Sequence, residues 1–147
     1  MNGQEFSTAS SPSAASSRLA EFVRRWSGLA VLVYLTALIT GTHLPNPDAW
    51  IPVTSNDKGL HFGAYFGLAF LMATRLQSLR PVTWRATLML LGLVAMTGAV
   101  DEWTQLLPGI HRQCELADWW CDVAGAAAGL CVWHVLARPL LCRNLVE

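Results

Sequence analysis

Four apolar runs, each close to the ~20 residues needed to cross a bilayer core at 1.5 Å per residue, constrain this chain more than any other feature. They cover residues 26–44, 59–79, 84–107 and 119–137. Pro45 and Pro47 break the first, Pro81 follows the second, and Pro108 with Gly109 ends the third; proline removes a backbone donor and restricts the residue before it. Lipid supplies no hydrogen bonds to the backbone, so such runs must close their own. The expected fold is an all-α polytopic membrane protein, four transmembrane helices in an antiparallel bundle.

Composition agrees. The chain is 53% apolar and 14% charged, against roughly 25% charged in soluble domains. At 147 residues it is one domain. Residues 18–147 form the membrane domain, and residues 1–17, rich in Ser and Ala with Glu5 as their only charge, are expected to be disordered. Arg18, Arg24 and Arg25 lead the first run. A cleaved signal peptide has the same order, but this run is too long and lacks a clear small-x-small site, which favours a retained anchor. Ten basic and ten acidic residues cancel, and no basic block suggests nucleic acid.

Placement of charge sets the orientation. Arg18, Arg24, Arg25, Arg75, Arg80, Arg85, Arg138 and Arg143 fall on one side, and only Lys58 and Arg112 on the other. The positive-inside rule then puts both termini in the cytoplasm. Trp26, Trp84 and Trp133 fall at the inner interface, and Trp50, Trp103, Trp119 and Trp120 at the outer, as two aromatic belts. Gly59, Gly63 and Gly67, and again Gly125 and Gly129, recur every four residues and predict faces for close helix approach.

Against this background, polar residues gather at the outer level. Asp57, Lys58 and His61 open the second helix, Asp101, Glu102 and Gln105 close the third, and Arg112, Asp118 and Asp122 lead into the fourth. Asp57 and His61, Asp101 and Gln105, and Asp118 and Asp122 are each four apart, which puts each pair on one helix face. Three helices turning such faces inward would build a polar pocket, with Tyr65, four residues after His61, in it or on its wall. Ionisable residues inside a span are functional-site hypotheses by default. The alternative is interhelical glue, worth only about 0.6 kcal/mol on average; glue has no need to collect at one depth on three helices.

His61 is open to three roles: base, metal ligand, or structural histidine paired with Asp57. His43 and His111 lie on the same side, and His134 near the inner end. No two histidines have H-x-H or H-x-x-x-H spacing, so neither a metal nor a cofactor is expected. Cys114, Cys121, Cys131 and Cys142 form no C-x-x-C pair and read as packing residues; a bridge from Cys114 to Cys121 is the one geometric alternative.

These blocks resemble a known family. Asp57-Lys58-x-x-His61-Phe62-x-x-Tyr65, then Asp101-Glu102-x-x-Gln105, then Pro108-Gly109, Arg112, Asp118 and Gly125 are similar to the blocks of the VanZ-like family of small bacterial membrane proteins. The likeness covers residues 57–129. Two positions depart from it: Ile110 and His111 separate Pro108-Gly109 from Arg112, and Asp122 stands where the family favours Asn. The resemblance implies a multi-pass protein of the bacterial cytoplasmic membrane associated with resistance to teicoplanin-type glycopeptides, and it implies no reaction.

Two functions of different classes follow. One is a binding or modulating protein whose outer pocket takes a membrane lipid headgroup, a lipid-linked wall precursor or a lipoglycopeptide. The other is a membrane-embedded hydrolase or transferase acting on a lipid-linked substrate, with Asp101 or Glu102 as base and His61 as its partner. No Ser or Cys beside a His suggests a covalent nucleophile, and no phosphate-cradling glycine loop is present, so binding is the leading expectation.

Overall fold

A computed structural model of the chain describes residues 14–43, 57–107 and 115–145. Those residues are helical, with no strand among them. Helix α1 spans Ala14–Thr42, α2 Asp57–Leu79, α3 Trp84–Thr104 and α4 Leu116–Val132. A π-helical turn, Trp133–Ala137, continues α4 directly into α5, Arg138–Leu145. Two boundaries depart from expectation. Helix α1 starts at Ala14, inside the segment expected to be loose, where Ala14 and Ala15 are the strongest helix formers. Helical structure also runs past Pro139, and the π turn just before it is the local irregularity that frees backbone groups from the ladder a proline cannot complete.

Three of these helices, Arg18–Thr42, Trp84–Thr104 and Leu116–Cys142, are long and apolar enough to cross a membrane. Helix α2, at 23 residues, is not among them. Its position explains its lower apolarity: it packs most extensively against α4 and next against α1, burying His61, Tyr65, Leu68, Ala69, Ala73 and Gln77. An interior helix meets protein on several sides. The other helices turn large apolar side chains outward, among them Leu32, Val33, Met89, Met96, Val135 and Leu136, far more than an aqueous monomer exposes.

The seam between α2 and α4 rests on two glycines. A Cβ on Gly125 would run into the carbonyl oxygen of Phe62, and one on Gly129 into that of Phe66. Both pairs are four residues apart, so one helix face lies directly on the backbone of the other. The glycine series on α2 does not act as expected. Gly63 faces open space, and Gly67 meets the hydroxyl of Tyr34 on α1. Helix α4 meets α2 at the backbone of Phe62 and Phe66, one position before each of these glycines, so packing and not spacing decides which small-residue series is used.

Turn chemistry orders the remaining chain. The buried Gln77 carboxamide accepts from the Val82 N–H at 2.9 Å, and Thr83 caps α3 by accepting from the Ala86 N–H at 3.3 Å. At this end Arg75 donates to the Arg24 carbonyl at 2.8 Å, joining the last part of α2 to the first half of α1. Trp133 is wholly buried and donates its indole N–H to Thr74 at 3.1 Å; it belongs to the core and not to an interfacial belt. His134 joins α3 through Thr87, 2.9 Å away. Cys121, Cys131 and Cys142 are free thiols, and Cys114 lies outside the described residues.

Candidate functional site

The opposite end of the bundle carries the polar residues. Asp57 and Asp118 sit in the first turns of α2 and α4, where a carboxylate complements the helix dipole. Asp101 and Glu102 sit in the last turn of α3 and are buried. A carboxylate there opposes the dipole, so local helix stability does not account for them.

Three helices meet in the deepest part of the site. Nδ1 of His61 on α2 lies 2.9 Å from Oδ1 of Asp122 on α4 and 3.9 Å from Oε1 of Glu102 on α3. Gly98 makes room for Asp122: a Cβ there would stand 2.8 Å from its Oδ2. The other oxygen of Glu102 accepts the Glu115 N–H at 3.1 Å, fixing the entry to α4. Trp119 donates its indole N–H to the Ala95 carbonyl at 2.9 Å, closing α4 onto α3.

Above this core lies a rim. Lys58 donates to Asp118 at 3.0 Å and to Glu115 at 3.1 Å. Its ammonium lies outside the apolar run at 59–79 and is held above its ordinary pKa, first by the hydrogen bond to Asp118 and then by that to Glu115. Asp57 is close as well: one ligating atom each of Asp57, His61 and Asp118 fall within 4.8 Å of one another.

The second group surrounds Asp101. Thr42 at the end of α1 donates to Asp101 Oδ1 at 2.8 Å, and Gln105 donates to Oδ2 at 3.4 Å. His43 sits beside them, its Nδ1 3.6 Å from Asp101 Oδ1 and its Nε2 2.9 Å from the Thr104 hydroxyl. The wholly buried Tyr65 links the two groups, lying among the charges of Asp101, Asp122 and Glu102.

The structure thus brings Asp57, Lys58, His61, Asp118, Glu102 and Asp122 into one group, and Asp101 and Gln105 into a second, with Tyr65 between. Arg112, the second expected cation, lies outside the described residues, as do His111, Pro108 and Gly109. His61 takes Asp122 on α4 as a close partner, where sequence spacing pointed to Asp57 on its own helix. Thr42, His43, Thr104 and Glu115 were not anticipated as site residues. Their signal was depth: Thr42 and His43 close the first apolar run at the level of the other polar residues. A cleft of about 290 Å3, lined by Ala99, Glu102, Glu115, Leu116 and Trp119, opens beside Glu102.

No protein-family model matches the chain, and neither does any curated protein or solved structure.

Proposed function

We propose that this chain is a VanZ-like integral membrane protein of a bacterial cytoplasmic membrane, crossing it four times with both termini inside. Its polar end faces outward and binds or modulates a lipid-linked cell-envelope component or a glycopeptide antibiotic. One observation carries the reading: three helices converge buried carboxylates, an imidazole and an amide at one end, beside a cleft with Glu102 on its wall. Interhelical glue does not require that convergence. Lys58 and Arg112 meet phosphate, Lys58 as a point charge and Arg112 through paired donors, while the carboxylates and Gln105 take amine, amide or sugar hydroxyl groups. The fourth crossing is α2, shielded by the helices around it.

The test is a titration of the full-length protein in nanodiscs with a polyprenyl-linked wall precursor. Saturable binding is expected, lost in Arg112→Glu, with the precursor recovered chemically unchanged. Conversion of the precursor would overturn the binding reading. It would favour instead a hydrolase or transferase, a reading supported by the 2.9 Å approach of His61 to Asp122, which suits an acid–base pair.

A further inference from the structure

We propose that His61, Glu102 and Asp122 form a binding site for a first-row divalent cation, with Zn2+ the closest fit. The inference stands apart from the lipid-binding reading and needs neither Arg112 nor a substrate. The three residues are 5%, 3% and 0% exposed, and one ligating atom of each falls within 4.8 Å of the others. They come from three helices, α2, α3 and α4.

Unfilled valences point to a ligand. Glu102 Oε1 is buried, has no hydrogen-bond partner among the described residues, and faces His61 Nδ1 at 3.9 Å. Asp122 Oδ2 is buried and also unpartnered. Native proteins leave few such groups, and each needs a reason. Two buried carboxylates also exceed what one imidazolium can neutralise. Lys58 does not supply the difference, because its ammonium is already held by Asp118 and Glu115.

A divalent ion balances the two carboxylates, takes a neutral imidazole nitrogen in place of the hydrogen bond between His61 and Asp122 Oδ1, and fills the open valence of Glu102 Oε1. Ligands about 2.0–2.1 Å from a tetrahedral Zn2+ stand roughly 3.3 Å apart. The separations from His61 Nδ1 here, 2.9 and 3.9 Å, bracket that value. One nitrogen and two oxygens leave a fourth position open, in the manner of reactive zinc sites, and Glu102 lines the cleft that would reach it.

The test uses the full-length protein purified without an affinity tag in detergent, stripped with chelator and dialysed against Zn2+. About one Zn2+ per chain is expected, retained when His43 is changed to Ala and all four cysteines to Ser. His61→Gln and Glu102→Gln are expected to weaken binding by about 100-fold or more, since changes even outside the ligand sphere cost 10–100-fold. Absence of stoichiometric Zn2+, or unchanged affinity in both variants, overturns the site. Should either variant lose its helical circular dichroism, Co2+ loading of the unaltered chain decides. Intense visible d–d bands without a thiolate charge-transfer band support the site, while no such bands, or a thiolate band, refute it.

Discussion

His61 Nδ1 on α2 lies 2.9 Å from Asp122 Oδ1 on α4, a contact 61 residues apart in sequence and almost wholly shielded from solvent. Removing one partner of such a pair leaves the other charge buried and alone, which costs about 3–5 kcal/mol, whereas removing both is far milder. His61→Leu is therefore expected to destabilise strongly, and His61→Leu with Asp122→Leu much less than the sum of the two single changes. Unfolding of all four proteins in micelles would measure the coupling. Simple additivity would show that the contact carries none.

The glycine seam makes opposite predictions at two positions. Gly125→Ala drives a methyl group into the Phe62 carbonyl, which is backbone and cannot turn aside; forced overpacking of this kind costs about 1–3 kcal/mol. Gly63→Ala meets nothing within 4 Å, and gains roughly 0.5–1 kcal/mol from the lower backbone entropy of the unfolded chain. Thermal unfolding of the two variants side by side should move the midpoint down for the first and up for the second.

Lys58 ties the rim together, and its effect on pH dependence has a definite sign. Its folded pKa is raised above the ordinary 10.5 by Asp118 and then by Glu115, so its contribution is fully present below about pH 10 and is lost as pH rises through the folded value. The linked loss at alkaline pH should therefore disappear in Lys58→Met, while the two proteins keep parallel stability profiles between pH 6 and about pH 9. A difference in slope inside that neutral window would place another titrating group in the rim.

The chain carries its own probes of orientation. In a variant keeping only Cys114, a membrane-impermeant thiol reagent should label intact cells, and in one keeping only Cys142 it should not. The reverse pattern would turn the polar end toward the cytoplasm and remove wall precursors and antibiotics as its ligands.

Depth and face were legible in sequence because they depend on period and length alone. Apolar runs of bilayer length predicted the helices, and spacings of four marked which side chains share a face on α2, α3 and α4. The same argument expected Asp101, Glu102, Asp118 and Asp122 to line an open pocket; that each is almost wholly buried is a product of packing. Partnership across helices was not legible. The rotation of each helix about its axis is set by packing, and here that packing turns on Gly125 and Gly129 seating α4 on the backbone of α2.

Sequence alone therefore determined an all-helical chain with its polar residues gathered at one end, since local hydrogen bonding and hydropathy settle both. Tertiary structure decided that His61 faces Asp122 and Glu102, that Thr42 of α1 reaches Asp101, and that Trp133 lies in the core. Each of those contacts joins residues more than forty positions apart, and only the approach of one helix to another selects among the partners that a shared depth allows.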